Sequence, residues 1–118
     1  MDHPEFVFFA IRKLGSTEGG FAALVRLLTT FGSHLMPDAL IELHTAWKRS
    51  PVNLLKESYV RSDLETLLRN VVYRHSVELG NRVALKKACL EFLDQLVDRG
   101  SSFAFQLREF AVSPIRAA

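Results

Sequence analysis

Apolar residues recur every three or four positions along most of the chain, which is the period of an amphipathic α-helix. The clearest example follows Gly80 and Asn81, where an apolar face opposes a charged one. Its apolar positions are Leu85, Cys89, Phe92 and Leu96. No stretch alternates with period two for long enough to predict a strand. The pattern therefore predicts an all-α protein of six or seven short antiparallel helices.

Proline, glycine and capping residues indicate where the first helices begin and end. Pro4 suits the first turn of a helix, and Gly15 suits its end. Ser16 or Thr17 can cap a second helix that ends at Gly32. These positions predict two helices in the first quarter of the chain.

Three further helix starts are predicted in the middle of the chain. Pro37 opens a third helix, which closes at Lys48, a cation at the negative end of the helix dipole. The Ser-Pro pair that begins at Ser50 restarts a short helix. Ser62 and Glu65 have the spacing of a capping box and predict the start of the next helix.

The first and last helices contain six of the nine phenylalanines. The run from Phe6 to Ile11 can form a helix or a strand, and helix is favoured because an isolated strand has no partner here. We expect the six phenylalanines to be buried within the chain, with an apolar patch for a second copy as the alternative. They are Phe6, Phe8, Phe9, Phe103, Phe105 and Phe110.

The segment from Asp63 to Arg99 resembles one HEAT-type repeat, a pair of antiparallel helices from a stacked α-solenoid. The residues from Asn81 to Leu93 carry the resemblance: a polar start, an early apolar residue followed by basic ones, the small residue Ala88, then leucines. The resemblance implies a HEAT-like array that binds proteins along a helical face. A compact helical bundle is the alternative, and either would be one domain spanning residues 1–118.

The composition predicts a globular protein that needs no disulfide and does not span a membrane. With 118 residues and 48% hydrophobic content, the chain can bury a core without disulfides or a metal. Its single cysteine, Cys89, forms no intrachain disulfide, and no apolar run approaches the length needed to span a bilayer. We therefore expect a cytoplasmic protein that does not insert in a membrane.

The sequence contains no recognisable catalytic or metal-binding motif. The phosphate-binding, dinucleotide-binding, zinc-protease and serine-hydrolase signatures are all missing. The four histidines are scattered and form no ligand set with nearby residues, and Cys89 shares a face with apolar residues, as a core thiol does. We expect no enzyme activity, no metal and no cofactor. The histidines are His3, His34, His44 and His75.

One group of cations lies at electrostatically unfavourable positions of its predicted helix. Arg82, Lys86 and Lys87 lie in the first turns of their predicted helix, where positive charge is unfavourable. Arg74 lies near the end of the preceding helix, so a hairpin turning at Gly80 would bring all four cations to one end. We call these four residues the basic tip and expect them to bind a partner.

These observations favour a protein–protein interaction or scaffold module without catalytic activity. The expected partner is another protein, one with an acidic surface if the basic tip is the contact. The alternative is a nucleic-acid-binding or regulatory helical domain that uses the same tip. Nucleic acid is the less favoured partner because the net charge is only +2. A monomer is expected, with a homodimer as the second possibility.

Overall fold

The computed structural model describes residues 4–112, except for the side chains of Pro4 and Ser33. This part of the chain forms seven α-helices and contains no strand, which confirms the predicted all-α class. The helices are α1 (Pro4–Leu14), α2 (Glu18–Phe31), α3 (Asp38–Lys48), α4 (Ser58–Arg74), α5 (Ser76–Asn81), α6 (Val83–Asp98) and α7 (Ser102–Val112), with a 3₁₀ turn at Ser33–Leu35.

The predicted limits of the first two helices are confirmed. The ambiguous run after Pro4 is helical, within α1. Thr17 caps α2, because its hydroxyl oxygen accepts a hydrogen bond of 3.1 Å from the backbone N–H of Gly20. At the other end, the N–H of Gly32 donates to the carbonyl of Leu28 at 3.0 Å. Local capping chemistry thus defines both ends of α2.

The short helix predicted to restart at Ser50 is wrong. Residues 50–57 contain no helix because polar side chains satisfy the backbone locally. The Ser50 hydroxyl accepts a hydrogen bond from the N–H of Val52 at 3.1 Å, and Asn53 accepts one from the N–H of Leu55 at 3.2 Å. This segment is therefore a connecting loop between α3 and α4.

The predicted capping box at Ser62 is also wrong, because α4 begins four residues earlier, at Ser58. Arg61 provides the physical reason. Its guanidinium donates hydrogen bonds to the carbonyls of Leu55 and Lys56, at 2.8 and 2.7 Å. These bonds tie the incoming loop to the first turn of α4, so Ser62 lies inside the helix.

The predicted turn at Gly80 and Asn81 is replaced by the short helix α5. Leu79 is fully buried and anchors α5 to the core. The chain breaks instead at Arg82, whose φ and ψ of −109° and 108° are extended. The helices α4 and α6 are therefore joined through α5, and not directly as a simple hairpin.

The helices pack into a flattened body measuring 37 × 33 × 22 Å. The main pairs are α2 with α4, α3 with α6, and α6 with α7, while α1 lies against α2 and α3. The predicted stripe of α6 is confirmed, since its four apolar residues are fully buried. Burial raises the pKa of the Cys89 thiol to about 12, so Cys89 behaves as a small apolar residue.

The segment from Asp63 to Arg99 contains most of α4, the whole of α5 and the whole of α6. Ala88, the small residue of the HEAT-type resemblance, is fully buried. Burial of a small residue allows close helix packing in many folds, however, so the resemblance stays a prediction.

Candidate functional site

The basic tip consists of residues from the end of α4 and the start of α6. Arg74 is the last residue of α4, Arg82 precedes α6, and Lys86 and Lys87 lie in its first turns. Arg74, Arg82 and Lys87 are exposed, whereas Lys86 is half-buried. Three of the four cations are therefore accessible to a partner.

Two cations of the basic tip bind other parts of the chain. The guanidinium of Arg82 forms a salt bridge of 2.7 Å with Asp38 at the start of α3. The ammonium of Lys86 donates to the backbone carbonyl of Val112 at the end of α7, at 3.0 Å. The negative end of the α7 dipole thus offsets the unfavourable position of Lys86 on α6. Both cations help hold α3, α6 and α7 together.

The prediction that the terminal phenylalanines are buried is wrong. Five of the six are exposed, with exposed fractions from 40% for Phe103 to 64% for Phe6, and Phe8 is half-buried. The reason is that α7 buries only a narrow stripe of Ala104, Leu107 and Ala111. The aromatic residues of α7 fall outside that stripe.

Helices α4 and α7 lie side by side and run in the same direction. At the start of α7, the hydroxyl of Ser101 donates to the carboxylate of Glu65 at 2.5 Å. Near its end, the ring of Phe110 lies 5.8 Å from the ring of Tyr73, between centroids. Because residue numbers rise together along both helices, α7 is parallel to α4.

Exposed side chains follow the line where these two helices meet. Near Phe103 this line contains a hollow of about 180 Å³. Its far end carries the paired rings of Tyr73 and Phe110, both at least half exposed. We call this feature the α4/α7 groove. Its residues are Ser62, Glu65, Thr66, Arg69 and Tyr73 of α4, and Phe103 and Phe110 of α7.

The groove contains one arginine and one glutamate. Arg69 is exposed within it, whereas Arg74 lies on the α2 side of α4, in a separate hollow with Leu28 and Met36. Among residues 4–112, neither arginine has a carboxylate within salt-bridge distance. Glu65, the acidic residue of the groove, is half-buried and already accepts the hydrogen bond from Ser101.

A second apolar surface lies between α1 and α2. A narrow cleft there is apolar except for His34, and the exposed ring of Phe31 forms one of its walls. Outside the cleft, the ammonium of Lys13 lies 5.7 Å from the centroid of the exposed Phe9 ring. The cleft residues are Val7, Leu27, Leu28, Phe31, Gly32, His34 and Leu35.

His44 is a buried polar residue of the core. Its Nε2 lies 2.8 Å from the Glu91 carboxylate, so α3 and α6 are linked by a hydrogen bond. Its ring contacts Phe92 edge-on at 5.3 Å and Trp47 at 5.7 Å, between centroids. Burial lowers the pKa of His44 although Glu91 opposes the shift, so the neutral ring donates to the carboxylate.

An open hollow of about 460 Å³ lies beside this pair. It contains Trp47, Lys48 and Glu91, but the guanidinium of Arg99 is occupied by hydrogen bonds to Asn53 and Gln95 at 2.8 and 2.7 Å. The Lys48 ammonium is 3.7 Å from Glu91. The polar groups of the hollow thus bind one another.

The stability of the fold is expected to depend on the charge of His44. The pKa of this residue lies below its ordinary value of 6.5 in the folded chain, so the unfolded chain binds more protons as pH falls. The free energy of unfolding should therefore be highest above pH 6.5, decrease below it, and level off below the folded-state pKa. Lys48 and Lys87 reinforce the lowered pKa of His44.

Urea denaturation across this pH range provides the measurement. The variant His44→Gln keeps a donor for Glu91 but does not titrate. Its free energy of unfolding should therefore no longer decrease near pH 6.5. The exposed His34, replaced in the same way, should leave the decrease unchanged. Equal pH dependence in all three proteins would contradict the role given to His44. The hydrogen bond from His44 also lowers the pKa of Glu91. The contribution of Glu91 to the free energy of unfolding is therefore lost at pH values below 4.5.

The remaining histidines belong to no metal-binding group in the described part of the chain. His75 is half-buried and its Nδ1 lies 3.2 Å from Glu78, a pairing within one turn that the sequence analysis missed. His3 lies outside residues 4–112. Within that range, no group of three or more histidine, cysteine or acidic residues could hold a metal ion.

None of the helices between residues 4 and 112 combines the length and the apolar character that crossing a membrane requires. Comparisons of the chain with protein-family models, curated proteins and solved structures found no match. Its function must therefore be argued from its own surface.

Proposed function

We propose that this chain is a protein–protein interaction module without catalytic activity. The observation that carries the proposal is the exposure of phenylalanines on two surfaces, the α4/α7 groove and the area around the α1/α2 cleft. Fully covering a phenylalanine removes about 200 Å² from water. The half-exposed rings of Phe103, Phe110 and Tyr73 therefore leave on the order of 300 Å² of aromatic surface at the groove.

Such an area is at the size where an apolar patch on a monomer commonly has a function. Aromatic residues and arginine are also the types most enriched in binding hot spots, and the groove combines them. A HEAT-like scaffold role fits the same proposal, since solenoids bind partners along their helical faces. The one unpaired cysteine fits a reducing compartment such as the cytoplasm.

The nucleic-acid alternative receives less support. Arg82 and Lys86 are bonded to Asp38 and Val112, which leaves Arg74 and Lys87 as the exposed cations of the basic tip without such bonds. A salt titration of binding to generic duplex DNA tests this alternative. A steep loss of affinity with rising salt would favour nucleic acid over protein as the partner.

The proposed function is tested by quantitative affinity purification from the native cell. We expect at least one protein to be recovered with the parent chain and lost with Phe9→Ser or Phe110→Ser, because a polar residue cannot replace the ring in a dry contact. The control Arg26→Ser changes an exposed residue of α2 and should retain that protein. If the parent and both phenylalanine variants recover the same proteins in equal amounts, the proposal is wrong.

A further inference from the structure

We propose that α1 packs against α1 of a second copy of this chain, antiparallel and around a two-fold axis, so that the protein forms a weak homodimer. This inference rests on the proposed function and deepens it, because it assigns the exposed phenylalanines around the α1/α2 cleft to one occupant, a second copy.

One side of α1 is left uncovered by the rest of the described chain. Val7 and Ile11 are buried against the core, whereas the rings of Phe6 and Phe9 are more than half exposed. At 3.6 residues per turn, five exposed residues of α1 fall within about one third of its circumference, opposite the buried pair. We call this side the α1 outer face. Its residues are Glu5, Phe6, Phe9, Arg12 and Lys13.

The charges of the α1 outer face lie on both sides of Phe9 with opposite signs. Glu5 lies four residues before Phe9, and the cations Arg12 and Lys13 lie three and four residues after it. In an antiparallel pair with a two-fold axis at Phe9, each residue faces the position equally distant from Phe9 in the other copy. Glu5 of each copy thus lies opposite the cations of the other, while the two Phe9 rings meet at the axis. A parallel pair would instead place like charges together.

The contacts that both cations make within the chain are compatible with this pairing. The Nε atom of Arg12 donates to Glu42 at 2.8 Å, and the guanidinium has further N–H groups for a carboxylate of the second copy. The ammonium of Lys13 lies 5.7 Å from the centroid of the Phe9 ring. A carboxylate that arrives beside this ring therefore meets the Lys13 ammonium without a rearrangement of the α1 outer face.

The aromatic surface has the size that a weak dimer needs. Phe31 is also more than half exposed, and it shares the α1/α2 cleft with Val7, the residue that follows Phe6. At about 200 Å² for each phenylalanine, the exposed parts of Phe6, Phe9 and Phe31 amount to about 400 Å² per copy. Two copies would remove about 800 Å² of ring surface from water before the flanking charged side chains are counted, against about 1,200 Å² for the smallest stable interfaces. A dimer with a dissociation constant in the micromolar range fits this area.

A second copy is favoured over an unrelated partner by two properties of the chain. Its α1 outer face supplies both halves of the charge pattern that the interface needs, so the same surface is covered on both copies at once. Its net charge is only +2, so two copies repel each other weakly.

Sedimentation equilibrium of the full chain provides the first test. We expect the apparent mass to rise from that of a monomer towards that of a dimer as the concentration increases from about 5 to 200 µM. Phe9→Ser and Glu5→Lys should each weaken the association by about tenfold or more. Phe105→Ser and Glu109→Lys are the matched controls, because both residues are exposed on α7, and each should leave the association unchanged.

An exchange of charges tests the antiparallel arrangement. Glu5→Lys leaves the α1 outer face with cations alone, and the double variant Arg12→Glu with Lys13→Glu leaves it with carboxylates alone. Each variant should be monomeric by itself, because like charges face one another. An equimolar mixture should form a heterodimer, because every cation of one chain then faces a carboxylate of the other. Lys13→Glu alone replaces the double variant if loss of the salt bridge between Arg12 and Glu42 destabilises the fold.

Three results would overturn the dimer. They are a parent chain that stays monomeric over the whole concentration range, a dimer that Phe9→Ser and Glu5→Lys leave intact, and a mixture of the two charge variants that contains no heterodimer. A monomeric parent would leave the proposed function standing, because that function is tested by the recovery of another protein that depends on Phe9 or Phe110. A dimer that forms while native-cell recovery is independent of both phenylalanines would overturn the proposed function alone.

Discussion

Replacing Phe92 with alanine is expected to lower the free energy of unfolding by about 3–5 kcal/mol. Phe92 is fully buried on α6, where its ring centroid lies 5.1 Å from that of Trp47, 5.3 Å from His44 and 6.4 Å from Phe21. Alanine would leave a cavity between α2, α3 and α6. The surrounding rings cannot fill that space without leaving their own contacts.

Urea denaturation measures this effect, and Phe105→Ala is the control. Phe105 is 60% exposed on α7, so its removal should change the free energy of unfolding by no more than about 0.5 kcal/mol. Because both variants replace phenylalanine with alanine, a difference between their losses of stability is due to burial. Similar losses in the two variants would contradict the placement of Phe92 at the centre of the core.

Replacing Gly15 with alanine is expected to destabilise the fold by about 1–3 kcal/mol. Gly15 follows α1 where it crosses α3, and a Cβ atom there would lie 2.7 Å from the Cβ of Ala46 and would also meet the carbonyl oxygen of Ile11. Ala46 is fully buried and carries no flexible side chain that could move aside. The two helices would have to separate.

Gly19→Ala is the matched control for this change. Gly19 lies in the first turn of α2, and no atom is found within 4 Å of the position that its Cβ would occupy. Alanine should therefore stabilise the chain by about 0.4–1 kcal/mol, since it reduces the freedom of the unfolded state. Thermal or urea unfolding should show that the two variants change the free energy of unfolding in opposite directions. A neutral Gly15→Ala would mean that α1 and α3 are not in close contact.

The helical class and the apolar stripe of α6 could be predicted because both depend on the local spacing of apolar residues. Leu85, Phe92 and Leu96 recur at helical spacing, and the structure buries all three. The cap at Thr17 was predictable for a similar reason, because the capping hydroxyl and its Gly20 partner are three residues apart. Such features need no knowledge of distant neighbours.

The wrong predictions arose where distant or competing contacts decide the structure. Ser62 has the spacing of a cap, but Arg61 ties the preceding loop to the helix and extends it back to Ser58. The salt bridge of Arg82 joins residues 44 positions apart in the sequence, so its partner Asp38 could not be identified from helix spacing. Tertiary contacts override local signals at such sites.

The groove was only partly visible in the sequence. The sequence predicts that Phe103 and Phe110 lie in the core because apolar residues are usually buried. A usable signal was present, since Ala104, Leu107 and Ala111 already form a complete stripe at helical spacing. Tyr73 and Arg69 could not be assigned without knowing that α4 runs beside α7.

The contact between Trp47 and His44 gives the protein an internal optical reporter. Trp47 is the only tryptophan in the chain, so all indole emission comes from a ring 5.7 Å from the imidazole of His44. A protonated imidazole accepts an electron from an excited indole more readily than a neutral one does. The emission intensity should therefore decrease as His44 gains its proton, and the charge state of a buried residue can be followed in the folded protein without any added label.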